Sequence, residues 1–242
     1  MHVFHLCLVF LASGFVGGLI AFVAICCLFV KKDKQYLKDS KFYRFLLKFL
    51  TKVVLWALGV KIHVSGIENI PQEGRFLIAG NHVSNYDPII TWHILKKHKI
   101  AFVSKPSNFK IPVAGAYVHQ AGFLAIDREN AMRAMRTIKR ASELVVSEQM
   151  IMGIYPEGTR SKTGELLEFK EGAFLLAKRA NAPIVVITTK GTNNISKDKI
   201  FKTTKVELEV IEIIDKETVK DLKLNELSAH VRESIANALQ QK

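Results

Sequence analysis

Two short stretches of the sequence hold residue types and spacings that can do chemistry. The first is Asn81-His82-Val83-Ser84-Asn85-Tyr86-Asp87-Pro88. It follows a predicted strand and precedes a predicted helix, where open α/β sheets place their ligand sites. His82 and Asp87 are five residues apart. On a regular helix that spacing would separate the two side chains by about 140°, so they can meet only across a turn. Ser84-Asn85 favour a turn, and Pro88 biases Asp87 away from helical angles. Once adjacent, the carboxylate can accept an N–H from one imidazole nitrogen and leave the other free to take a proton from a hydroxyl. The same residues also make an ordinary helix start, with Asp87 as N-cap, Pro88 at the first helical position and His82 an incidental loop residue. Spacing alone leaves both readings open.

The second stretch is Tyr155-Pro156-Glu157-Gly158-Thr159-Arg160-Ser161, again directly after an apolar run. Gly158 permits close backbone approach, Thr159 and Ser161 bring hydroxyls, and the planar fork of Arg160 suits a phosphate. Taken by itself this stretch reads as a polar surface loop, and only the first stretch beside it favours a site. Other chemistries are poorly served. No G-x-S-x-G elbow is present, and Ser84 stands only two residues from His82. A metal site is not expected, because His82, Asp87 and His93 have no companion at metal-ligand spacing. Cys7, Cys26 and Cys27 form no C-x-x-C pair, which excludes a disulfide scaffold and a zinc ribbon.

The elements that must position these residues form an α/β pattern. Strands are predicted at 61–65, 76–79, 100–104, 123–126, 151–155, 184–189 and 206–214. Helices are predicted at 89–97, 130–149, 172–180 and 226–239, the last with Asn225 as N-cap. This alternation predicts a mostly parallel central sheet flanked by helices. Ahead of it lies a membrane-anchoring helical segment, residues 1–60, leaving 61–242 as the catalytic domain. Residues 3–30 contain no Lys, Arg, Asp or Glu, and about 20 apolar residues suffice to span the hydrocarbon core. Lys31, Lys32, Lys34, Lys38, Lys41, Arg44, Lys48 and Lys52 follow, against only Asp33 and Asp39. The positive-inside rule then places the catalytic domain on the cytoplasmic face of the membrane. Within 42–60, Leu46, Phe49, Leu50, Val53, Val54 and Ala57 recur at helical spacing, which predicts an amphipathic helix in the interface with its basic side on anionic headgroups. The whole 242-residue chain carries a formal charge of +13, pointing to an anionic partner. No nucleic-acid motif accompanies that charge, and its concentration beside the apolar segment favours lipid over nucleic acid.

Together, NHVSNYDP and YPEGTRS resemble the glycerolipid acyltransferase family, the 1-acylglycerol-3-phosphate acyltransferases. Gly122–Arg128 (GFLAIDR), Ala182–Ile187 (APIVVI), Lys105 and the run Phe169–Ala173 extend the likeness over about residues 60–215. The resemblance implies that His82 is a general base on the free hydroxyl of lysophosphatidate, oriented by Asp87. It implies that Glu157, Gly158, Thr159 and Arg160 hold the acceptor phosphate, with Lys105 and Arg128 as further candidates. The donor would be acyl-CoA or acyl-carrier protein, a co-substrate rather than a cofactor, and the product phosphatidate. Tyr155 replaces the commoner Phe, Val186 replaces a proline, and Lys105 lacks the usual continuation. Another lysophospholipid acceptor, a lipid esterase and a non-catalytic basic membrane protein are the alternative readings.

Overall fold

The computed structural model describes residues 17–18, 21–23, 25–26, 30, 40–112, 114–195 and 203–240. All seven predicted strands are present, with ends within two residues of expectation: β1 (Val60–Ser65), β2 (Leu77–Gly80), β3 (Ile100–Ser104), β4 (Leu124–Ala125), β5 (Ile151–Ile154), β6 (Ile184–Lys190) and β7 (Thr204–Ile214). They form one sheet in the order β1-β7-β6-β2-β5-β3-β4. Every pairing is parallel except β6 with β7. The central strands are apolar runs buried on both faces, Leu77-Ile78-Ala79 and Ile184 to Ile187, as a helix-covered parallel sheet requires.

Helices α1 (Lys41–Ala57), α2 (Asp87–Ile94), α3 (Ala114–Gln120), α4 (Ala131–Val146), α5 (Leu175–Ala180), α6 (Lys216–Asp221) and α7 (Leu224–Gln240) complete the described elements, with short 3₁₀ turns between. Buried residues of α4, α5, α6 and α7 form one core with one face of the sheet, and those of α1 and α2 form another with the opposite face. The short helices α3 and α6 lacked a period long enough to read; α6 is capped by Asp215, whose carboxylate accepts the Thr218 N–H at 2.7 Å. Helix α7 starts at Leu224, so Asn225 sits inside its first turn and not at its cap. Glu226 instead reaches back to the Lys223 N–H at 2.8 Å.

Five strands, β2 to β6, run the same way, so the segments leaving them gather along one edge of the sheet. Both chemical stretches, Lys105, Arg128 and the turn after β6 all lie on that edge.

Helix α1 packs by a mixed face, burying Arg44, Leu46, Thr51 and Leu55. The Arg44 guanidinium lies 5.5 Å from the centre of the Trp92 ring and donates to the carbonyls of His98 and Ile100, both at 3.5 Å. That contact turns the helix so that Phe42, Phe45, Phe49, Val53, Val54 and Trp56 face outward. Of the apolar stripe expected to lie in the interface, Phe49, Val53 and Val54 are exposed, while Leu46 is buried with Val23, Cys26 and Tyr117. Most of the apolar segment 3–30 lies outside the described residues; the described pieces at 17–18, 21–23 and 25–26 are helical. Val23 and Cys26 pack on Leu46 and Tyr117, while Phe22 and Ile25 are exposed, with Phe22 edge-on to Phe42 at 6.4 Å. Among the described residues no helix is long and apolar enough to cross a membrane.

Candidate active site

The turn between β2 and α2 brings His82 and Asp87 together. His82 Nδ1 lies 2.8 Å from Asp87 Oδ2. The same oxygen accepts the backbone N–H groups of Val83 at 2.8 Å and Ser84 at 2.7 Å. The other oxygen, Oδ1, accepts the Thr192 hydroxyl. Asp87 is wholly buried, whereas 18% of the His82 side chain stays exposed. A carboxylate acting as acceptor requires the proton to be on Nδ1, which leaves Nε2 as the acceptor nitrogen. Among the described residues nothing is bonded to Nε2. Asp87 does not cap α2 as expected: Tyr86 occupies that position without a side-chain bond, and the Asp87 carboxylate folds back onto its own loop.

The loop after β5 is stitched to the same histidine. The buried Glu157 carboxylate accepts the His82 backbone N–H through Oε1 at 2.5 Å and the Leu167 N–H through Oε2 at 3.1 Å. The Ser161 N–H donates to the His82 carbonyl at 2.8 Å. Burial pushes the Glu157 carboxyl above its ordinary range, and these two N–H bonds pull it back. Each Glu157 oxygen thus accepts one backbone N–H, and the side chain ties the loop after β5 to the His82 loop. Tyr155 stacks on His82 with ring centres 4.4 Å apart and an angle of 18° between planes. Phe102 backs Tyr155 in turn, nearly parallel at 5.7 Å. Burial first, and then the Asp87 charge, push the Tyr155 phenol well above its ordinary value, so it stays protonated.

The remaining candidates divide by distance. Thr159 and Arg160 are exposed, Gly158 makes the turn at φ +71°, and the Ser161 bond places Arg160 one residue from a direct backbone link to His82. Lys105 and Arg128 are exposed where the chain leaves β3 and β4. Those strands lie two and three places from β2, about 10 and 14 Å away at the usual strand spacing. Ser84 is buried and its hydroxyl accepts the Tyr86 N–H. No cluster of metal-binding side chains occurs among the described residues. Asn81 escaped the sequence reading: its amide donates to the Thr189 carbonyl at 3.0 Å and accepts the Thr189 N–H at 2.8 Å, joining the end of β2 to β6. Partners more than 100 residues apart leave no local signal.

The tie through Glu157 predicts how Glu157→Gln fails. One amide NH₂ must then face a backbone N–H, leaving a buried donor unpaired at a cost of about 1–3 kcal/mol. The melting temperature and kcat fall together, while KM for the acceptor changes little. A raised acceptor KM with unchanged kcat and stability would instead make Glu157 a phosphate ligand.

The acyltransferase family model matches residues 61–190, which span every element of this site except the turn at Thr192. The 1-acyl-sn-glycerol-3-phosphate acyltransferase of Borreliella burgdorferi is 29% identical over 197 residues, covering 81% of this chain and 78% of that protein. The enzyme of that name from Haemophilus influenzae is 30% identical over 169 residues, covering 68% and 70% respectively. That of Saccharomyces cerevisiae is 27% identical over 234 residues, covering 94% and 73%. The crystal structure of the 1-acyl-sn-glycerophosphate (LPA) acyltransferase PlsC from Thermotoga maritima shares the fold, with a TM-score of 0.70 at 24% identity over 94% of this chain and 88% of that one. By the family match over residues 61–190 and the 30% identity to the Haemophilus influenzae enzyme, the chain belongs to the acyltransferase family.

Proposed function

We propose that this acyltransferase moves a fatty acyl group from a thioester donor to the free hydroxyl of 1-acylglycerol 3-phosphate, making phosphatidate. The observation that carries the mechanism is the 2.8 Å contact between a fully buried Asp87 and a His82 with an open Nε2. In the forward direction, Nε2 takes the hydroxyl proton as the oxygen attacks the thioester carbonyl. The C–S bond of the collapsing adduct breaks, and the imidazolium returns the proton to the departing thiolate. Asp87 holds the ring and stabilises its transient positive charge. The acceptor enters with its phosphate toward Arg160, whose exposed guanidinium follows directly on the loop that grips His82. Lys105 follows the strand next to β5 and Arg128 the strand beyond it, so both stand on the same edge as Arg160 as further candidates for the acceptor phosphate.

We further propose that residues 1–60 form the membrane anchor, with the catalytic domain on the cytoplasmic face. Support comes from the joint apolar face of Phe22, Ile25, Phe42, Phe45 and Phe49. Soluble surfaces rarely expose so continuous a patch, and in sequence the stretch 31–52 beside it is strongly basic. Helix α1 also contacts the helix that begins at Asp87, through Arg44 on Trp92 and through Thr51 with His93 Nδ1 at 3.4 Å. Lipid adsorption and the catalytic loop thus share one packed unit.

The direct test is acyl transfer by purified protein from acyl-CoA or acyl-carrier protein to a panel of lyso-acceptors. His82→Ala should lose about 10²–10⁴-fold in kcat. Arg160→Gln should raise KM for lysophosphatidate about tenfold, with little change for acceptors lacking the phosphate monoester. A fully active His82→Ala enzyme, or an Arg160→Gln enzyme with unchanged KM, overturns the respective role. For the membrane face, Phe45→Glu with Phe49→Glu should weaken affinity for anionic vesicles by at least about 100-fold, since each buried ring contributes roughly 1.5–3 kcal/mol. Activity on detergent-dispersed substrate should be retained. Unchanged vesicle binding would place the contact elsewhere.

A further inference from the structure

The two oxygens of Asp87 have unequal duties. Oδ2 takes the imidazole and two backbone N–H groups of its own loop. Oδ1 receives only the hydroxyl of Thr192, 105 residues further along the chain. Both residues have zero exposure, so solvent supplies no substitute partner for Oδ1.

Thr192 reaches this position along a rigid route. β6 runs beside β2, with Gly80 opposite Ile187. The chain then leaves β6 through Gly191 at φ +82°, where a Cβ would stand 2.4 Å from the Lys205 carbonyl oxygen. Only glycine fits there. A 3₁₀ turn, Thr192–Asn194, follows at once, closed by the Asn194 N–H to the Gly191 carbonyl and the Ile195 N–H to the Thr192 carbonyl. The hydroxyl is therefore presented from a fixed point on a neighbouring strand.

We propose that Thr192 is a positioning residue for acyl transfer. Three donors crowd Oδ2; without a partner on Oδ1, the carboxylate would turn about its Cβ–Cγ bond and share them between both oxygens. That rotation carries Oδ2 off the imidazole. The Thr192 hydroxyl prevents it, so Nδ1 keeps its proton and Nε2 stays available as the base. This role rests on the assignment of His82 as the base, and the test separates the two.

The experiment compares Thr192→Val, Thr192→Ser, Asp87→Asn, the Thr192→Val/Asp87→Asn double variant and His82→Ala in steady-state acyl transfer to lysophosphatidate. Thr192→Val should lower kcat about tenfold with both KM values within about twofold, and Thr192→Ser should recover to within about threefold of wild type. In the Asp87→Asn background, Thr192→Val should cost nothing further, because the hydroxyl acts only through the carboxylate. Undiminished kcat in Thr192→Val beside an inactive His82→Ala overturns the role of Thr192 alone, as do losses that multiply in the double variant. A fully active His82→Ala overturns the base assignment and this role with it. If Thr192→Val does not fold, Thr192→Ser against Thr192→Ala, which differ by one oxygen, reads the same comparison.

Discussion

Burying a carboxylate away from water costs several kcal/mol unless donors answer both of its oxygens. Asp87 is the residue around which this molecule meets that requirement. One donor is the imidazole it serves, two are backbone N–H groups of the His82 loop, and the fourth comes from the turn after β6. None of the four can be moved without disturbing the loop after β2 or the turn after β6 that carries it. The loop path from His82 to Asp87, the end of β2 and the exit from β6 are therefore set by one buried charge as much as by apolar packing.

The sheet supplies the frame for that arrangement. Because β2 to β6 are parallel, their outgoing segments share an edge, and β2 has β6 on one side and β5 on the other. From β6 come the backbone of Thr189, which grips Asn81, and the hydroxyl of Thr192, which grips Asp87. From β5 come Glu157 and Ser161, which hold the two ends of the His82 peptide unit, and Tyr155, which lies flat on its ring. The histidine is thus held by backbone, by ring stacking and by its carboxylate from three directions, with one nitrogen left at the surface. Preorganisation of this kind suits a reaction in which a proton must move as the acceptor oxygen attacks.

Much of this was legible in the sequence, for definable reasons. The strands declared themselves because a sheet buried on both faces needs continuous apolar runs, and Ile184 to Ile187 can be little else. The His82–Asp87 turn was legible because Pro88 and Ser84-Asn85 are local signals. What stayed hidden was whatever depends on distant partners. Glu157 reads as part of a ligand loop, and its bonds to the backbone N–H groups at positions 82 and 167 leave no local signal. Asn81 and Thr192 carry no spacing that betrays their bonds. The outward apolar face of α1 was legible as an interfacial stripe, but the burial of Arg44 against Trp92 and two carbonyls depends on partners far along the chain and left no local signal.

General-base catalysis by His82 requires one protonation pattern on its ring: a proton on Nδ1, held by Asp87, and a bare Nε2. Long-range ¹⁵N–¹H correlation spectra of the histidine-labelled enzyme near pH 8.5 read that pattern without reference to turnover. The geometry predicts the Nδ1–H tautomer for His82, with loss of its dominance in Asp87→Asn. An Nε2–H tautomer in the wild-type protein, or a pattern indifferent to Asp87→Asn, would contradict it.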